Sequence, residues 1–445
     1  MTQLPTRQGA KTVIAAACIG NFLEFYNFMA FAFFAPMIGH AFFPSSNHLM
    51  SLLYSLMTFA VGFFVRPLGA VTVGKFAHRY SQRSALMLTF SLLWAGSLLL
   101  ALTPEAEPSG VFAPVMIVIA RLLQGFSDGG EVGPATTLIF DAAPQGLGGV
   151  FGTIQYMTQL LGTLVAVLIG LVLSVSLSHD ALYAWGWRVP FLIGLVIVPV
   201  GIILRRRAAN FDHTPPEHSP ISVEDRSVIR RVVPLVFLCI SSGTISTYLR
   251  NFGVSYAVSV LHLSPAIGMT GMAVGLLVGS VMLLPGMWFA ARLANPRLFV
   301  ISAGVVTALV SVPLYYFAIH SPGIGSQIVL NITLFMLSSL VNGCIWKTLL
   351  EALPVRSRSF VFGIVYALAV SSFGGLTQPF ITWLVAIMEN PMMPAYLMVL
   401  TVPLGTIPWL LLLRLVERAI VPGNSHLSRQ GGLDASGRVH LSGHV

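Results

Sequence analysis

Three stretches early in the chain place ionisable side chains inside long apolar runs. The first holds Asn21, Glu24 and Asn27, the second Arg66, and the third Arg121, Gln124, Asp128 and Glu131. An ionisable group in lipid costs at least about 2.5–3.5 kcal/mol, so such groups face the protein interior and have a partner or a task. At about 100° per residue, the four polar positions of the third stretch share one stripe about 80° wide on a helix. Gln155 and Gln159 form a shorter stripe further on. A polar stripe on a membrane helix predicts the wall of a water-filled cavity. There Glu24, Asp128 and Glu131 are candidates for binding and releasing protons. Arg66 and Arg121 are candidates for holding a carboxylate in their planar forks, with Asn21, Gln124, Gln155 and Gln159 as further substrate contacts. Arg250, in the outer half of a later run, reads equally as a substrate contact or as an arginine reaching for the external interface.

Together with Arg188, Arg250 and Lys347, Arg66 and Arg121 outnumber the three acids by two charges, which favours an anionic substrate. Importing an anion against an inside-negative potential costs about 2.3 kcal/mol per charge per 100 mV, hence about 7 kcal/mol for a trivalent one. Co-transported protons would offset that cost. Other chemistries find little support. Gly69 to Lys75 has the spacing of a phosphate-binding loop, but Phe76 replaces the magnesium-ligating hydroxyl and the segment ends a membrane helix. The eleven histidines fall in loops, tails or helix ends, and Cys18, Cys239 and Cys344 sit singly in apolar runs. No enzyme activity, cofactor or metal is expected.

The elements that position these residues follow from composition. Of 445 residues, 56% are apolar and 9% charged, with a mean hydropathy of +0.84; soluble domains are about 25% charged. The chain is an all-α membrane protein whose main partner is the lipid bilayer. Twelve candidate spans lie near 12–39, 50–77, 85–103, 112–140, 148–176, 187–205, 233–260, 266–291, 297–319, 326–351, 359–388 and 394–416. The first is read as a retained helix, not a cleaved signal. Nineteen of the 24 basic residues fall in or beside the N-terminus, the even-to-odd loops and the C-terminal tail, which predicts that both termini are cytoplasmic. The pI near 9.8 therefore reflects topology and not a nucleic-acid partner.

A polar connection over 206–232, with Pro215, Pro216 and Pro220, divides a six-helix half (1–205) from a second (233–416); residues 417–445 read as a disordered cytoplasmic tail. A faint repeat supports two fused halves, for Asp141-Ala-Ala-Pro144 and Glu351-Ala-Leu-Pro354 are each followed by a Phe-Gly pair. Gly125, Gly129 and Gly133, and again Gly271, Gly275 and Gly279, allow close approach between helices.

These residues resemble the metabolite–proton symporter branch of the major facilitator superfamily, and within it the citrate (tricarboxylate)–proton symporters. The resemblance rests on GNFLEFYNF (20–28), RPLGA (66–70), RLLQGFSDGGEVGP (121–134), WGWRVPF (185–191), EALPVRSR (351–358) and FGGLTQP (373–379), in the family's order. It implies the twelve-helix fold and proton-coupled import of a di- or tricarboxylate by alternating access, by a monomer in the bacterial inner membrane. It further implies a conformational role for Arg79, Arg83, Glu351 and Arg358. Asn27 replaces the family's aspartate, and Asp128 stands where the family has a small residue. The loop GKFAHRYSQR (74–83) departs from the family pattern at His78, Ser81 and Gln82. These departures leave two alternatives: an exporter or uncoupled facilitator of an organic anion or drug, and a non-transporting nutrient sensor on a transporter scaffold.

Overall fold

Without water to bond the backbone, an apolar chain in a bilayer satisfies its peptide groups within helices. The computed structural model describes residues 7–80, 82–105, 110–129, 148–196, 199, 223–293, 295–354 and 357–420. These form α1 (Arg7–Phe33), α2 (Ala35–Phe42), α3 (His48–Phe64), α4 (Arg66–Arg79), α5 (Gln82–Leu102), α6 (Phe112–Asp128), α7 (Gly148–Ser176), α8 (His179–Ala184) and α9 (Gly186–Val196). After the connection come α10 (Val223–Asn251), α11 (Gly253–Ser259), α12 (Pro265–Arg292), α13 (Arg297–His320), α14 (Ile324–Glu351), α15 (Arg358–Ala369), α16 (Gly375–Met388) and α17 (Met393–Ile420). Among the described residues, eight helices are long and apolar enough to cross a bilayer, or nine if the bent pair α1–α2 is one span.

The surface is inverted relative to a soluble protein. Leu277, Val281, Leu284 and Trp288 form an exposed apolar face along α12, while Glu24, Arg66, Arg121 and Asp128 are buried. Most of the connection expected at 206–232 lies outside the described residues, as do Glu131, Gly133 and the tail from 421. Within that connection, α10 already begins at Val223.

Prolines mark the discontinuities. The first span bends by 59° between α1 and α2, where Pro36 enters the first turn of α2 and has no N–H for the carbonyl of Ala32. Ser255 of α11, in the other half of the chain, donates its hydroxyl to that carbonyl at 3.4 Å. Pro67 stands at the start of α4, so Arg66 sits at a break in mid-span. A π-turn, Val370–Gly374, joins α15 to α16 ahead of Pro379, and such turns concentrate at functional sites.

Glycines set the closest approaches. A Cβ on Gly125 would stand 1.9 Å from the carbonyl oxygen of Gly62, and one on Gly129 would stand 1.9 Å from that of Arg66. Helices α3 and α4 thus lie backbone to backbone against α6. Gly271 and Gly275 do the same for α12 against Gln327 and Asn331 of α14. Gly125 and Gly129 of the first run and all three glycines of the second make the contacts their spacing predicts.

Gly129→Ala should therefore force α4 from α6, at a cost on the order of 1–3 kcal/mol for overpacking. Gly243→Ala, where a Cβ meets nothing within 4 Å, should leave stability unchanged or slightly improved. Thermal unfolding of the detergent-solubilised protein checks this; equal midpoints for the two variants would contradict the packing described.

Candidate functional site

The backbone contact of Gly129 with Arg66 brings the charged residues of three spans together. Arg66 Nη2 lies 3.2 Å from Glu24 Oε1 of α1 and 3.4 Å from Asp128 Oδ2 of α6. One guanidinium thus bridges two carboxylates, and each of the three residues is no more than 6% exposed. The Arg66 guanidinium also lies over the rings of Phe28 and Phe63, at 4.3 and 4.5 Å from their centroids. This stacking fixes the plane of the fork while leaving its edges to the carboxylates.

Arg121 has a different environment. It is fully buried, stacked at 4.6 Å over Phe28 and Phe31 and at 5.0 Å over Phe59. Its Nη1 donates to Gln124 Oε1 at 2.7 Å, Gln124 Nε2 donates to Ser97 Oγ at 3.1 Å, and Ser97 donates to Asn27 Oδ1 at 3.2 Å. The relay ends on amide oxygen, not on carboxylate. Arg121 Nε and Nη2 have no hydrogen-bond partner among the described residues. Two donors of a buried cation are therefore directed at no acceptor among the described residues, an arrangement suited to an anionic ligand.

A third set of polar residues lies alongside. Asn21 donates to the Gln155 carbonyl at 2.9 Å and to Thr158 Oγ1 at 2.7 Å, and Gln159 donates to Asn21 Oδ1 at 3.4 Å. Tyr366 of α15 lies close enough to Gln159, Glu24 and Arg66 to interact with them electrostatically, which brings a C-terminal helix against the N-terminal ones. Tyr248 of α10 packs edge-on against Phe63 with ring centroids 5.5 Å apart. Its backbone oxygen accepts from Gln378 at 3.3 Å.

Of the residues singled out in the sequence, Glu24, Arg66, Arg121, Gln124 and Asp128 are joined by these contacts, with Asn21, Gln155 and Gln159 forming a second linked set on α1 and α7. Arg250 is placed elsewhere, over Phe335 of α14. Arg79 is exposed and stacks on Tyr80 at 5.7 Å. Glu351 and Arg358 share a cavity of about 360 Å³ at the ends of α10, α14, α15 and α17, walled by Val228, Val232, Leu415 and Val416. Glu131 lies outside the described residues, as does the side chain of Arg83. The sequence reading missed Ser97, Tyr366 and the aromatic box of Phe28, Phe31, Phe59, Phe63 and Tyr248. Its one available signal was the spacing of Phe28 and Phe31, and of Phe59 and Phe63, at helical repeats beside charged residues.

This arrangement has relatives. Residues 13–206 match the sugar (and other) transporter family. The chain is 30% identical to the citrate-proton symporter of Salmonella typhi over 403 residues, covering 89% of this chain and 92% of that protein. It is also 30% identical to the alpha-ketoglutarate permease of Escherichia coli K12 over 390 residues, covering 85% and 88%. A crystal structure of a D-xylose-proton symporter matches with a TM-score of 0.67 at 16% identity, covering 90% of this chain and 96% of that one, a likeness of fold alone. Sequence similarity across nearly the whole chain and a shared helical architecture lead to one conclusion: this is a multi-pass membrane transporter, not an enzyme, and it belongs to the sugar and metabolite transporters of the major facilitator superfamily.

Proposed function

We propose that the protein is a proton-coupled symporter that imports a di- or tricarboxylate across the bacterial inner membrane by alternating access. The observation that carries this reading is the contrast between its two central arginines. Arg66 is bridged to both Glu24 and Asp128, whereas Arg121, fully buried, pairs with no carboxylate among the described residues, where its Nε and Nη2 find no hydrogen-bond partner. A substrate carboxylate completes Arg121. It also adds negative charge beside Glu24 and Asp128, and a proton on either carboxyl removes it again. Protonation weakens that residue's hold on Arg66 and frees the second fork for another substrate carboxylate. The relatives named as citrate-proton symporter and alpha-ketoglutarate permease support this substrate class.

Asn27 and Asp128 fit the same logic. An aspartate at position 27 would end the relay from Arg121 in a carboxylate and neutralise it internally. Asn27 leaves that charge for the substrate, and Asp128 supplies the second carboxyl to Arg66 instead. This contact favours retained coupling over the uncoupled facilitator and the sensor. In the proposed architecture, the long helices, the bent first span, the shorter apolar α5 and α9, and α6 make twelve spans in two six-helix halves. Both termini are cytoplasmic, and the halves rock about the central charges. Tyr366, beside Gln159, and Ser255, bonded to the Ala32 carbonyl, are the contacts that such rocking breaks and remakes.

Proteoliposomes with an inward proton gradient should accumulate radiolabelled citrate, tricarballylate or α-ketoglutarate against its gradient, faster as the external pH falls, and should not accumulate glucose. Glu24→Gln should abolish this uphill accumulation while preserving exchange of labelled for unlabelled substrate. Uphill uptake surviving in both Glu24→Gln and Asp128→Asn would remove these carboxyls from the coupling mechanism.

Arg121→Lys keeps the charge but loses the fork. It should lower kcat/KM for uptake by about 30-fold or more, equivalent to about 2 kcal/mol, because a buried charge-assisted pair is lost. Initial-rate measurements at matched membrane expression check this, and a change within twofold would exclude Arg121 as the carboxylate anchor.

A further inference from the structure

Arg250 is a second buried cation with an unsatisfied donor, and it lies in the C-terminal helices. It occupies the last turn of α10 and is 7% exposed. Its Nη2 donates to Thr247 Oγ1 at 3.1 Å, and its guanidinium lies over the Phe335 ring, 5.5 Å from the centroid. Tyr315 of α13 is close enough to interact with its charge. Arg250 Nε has no hydrogen-bond partner, and no carboxylate pairs with the residue among the described residues.

Its direction separates it from the central charges. Tyr248, on the same helix, faces Phe63 of the N-terminal half. At about 100° per residue Arg250 is turned about 160° from Tyr248 and only about 40° from Ser246. Ser246 meets Thr401 of α17 at 3.0 Å. Arg250 therefore points between α10, α13, α14 and α17, into the C-terminal helices themselves.

A charge withdrawn from water needs an opposite charge or a full set of hydrogen bonds. An aromatic face and the C-terminal end of a helix each offset part of a positive charge. Neither supplies an acceptor to Nε or a neutralising charge. Thr247 accepts from Arg250 and keeps its own hydroxyl proton to donate. The Nε donor of the cation, the Thr247 hydroxyl and an aromatic wall together suit a single small anionic group.

We propose that Arg250 and Thr247 bind an anionic group within the C-terminal helices, at a site separate from the Arg66–Arg121 group. The group is either a small inorganic monoanion such as chloride or one carboxylate of an organic anion. The site stands independently of the substrate reading above, which wild-type citrate uptake tests on its own.

The test is thermal unfolding of the full-length protein in detergent, titrated with sodium chloride or sodium citrate at constant ionic strength held by HEPES. The wild type should show a saturable rise in midpoint with at least one of the two anions. Arg250→Gln should lose the rise or need at least about tenfold more anion, the consequence of removing a charge-assisted donor pair. Arg250→Lys, which keeps the charge and guards against a folding defect in the glutamine variant, should bind with an intermediate midpoint concentration. A rise with chloride that survives in Arg121→Gln identifies an inorganic anion. A rise with citrate alone that is lost in Arg250→Gln identifies a carboxylate. Identical titrations for the wild type and both Arg250 variants, or no rise with either anion in the wild type, would overturn the proposal.

Discussion

A guanidinium inside a membrane protein must be neutralised, and the way each one is neutralised organises this molecule. Arg66 is held by two carboxylates from two other spans, so α1, α4 and α6 are tied together at one nitrogen. Arg121, fully buried nearby, is held by stacking and by a neutral relay through Gln124, Ser97 and Asn27. Replacing either partner of a buried pair leaves the other charge stranded, at a cost of about 3–5 kcal/mol. Arg66 thus has two carboxylates beside it, and Arg121 has none among the described residues. Phe28 lies under both guanidinium groups and keeps their planes fixed as their partners change.

Backbone geometry makes this pairing possible. Arg66 reaches Asp128 because Gly125 and Gly129 let α6 touch the carbonyls of Gly62 and Arg66. The break at Pro67 follows Arg66 directly, and the π-turn before Pro379 lies against the ring of Phe63 beneath the Arg66 guanidinium. Gly374 and Gly375, at that turn, pack directly on the Phe63 ring. A rigid charge cluster thus sits among helices interrupted at its own level, so a change in its protonation has structural elements at hand to move.

The sequence revealed the parts of this site whose presence in lipid carries an unmistakable cost. Glu24, Arg66, Arg121 and Asp128 stood out because charges are so few in their runs, the others being Lys75 near the end of one and Glu131 beside Asp128. The glycines of α6 stood out by their four-residue repeat. Partner choice was not legible: whether Asp128 pairs with Arg66 or Arg121 depends on helix rotation and on the bare backbone of Gly62, which no spacing encodes. The aromatic box was hidden because Phe28, Phe59 and Phe63 look like the apolar residues that face lipid. The bend at Phe34 had a signal in Pro36, but a proline in a long apolar run does not fix the size of a bend, here 59°. Arg250 was read with two meanings, and its orientation into the C-terminal helices needed the rotation of α10, fixed by Tyr248 against Phe63 and Ser246 against Thr401.

The central claim is that binding an anion at Arg121 is linked to proton binding at the two carboxylates around Arg66. The most direct measurement is proton uptake when citrate is added to the purified protein in weak buffer, followed with a pH-sensitive dye. The wild type should take up at least one proton per bound citrate beyond what citrate itself exchanges, and the double variant Glu24→Gln, Asp128→Asn should take up none. Citrate binding with no proton uptake by the wild type, or equal uptake by the double variant, would contradict the linkage.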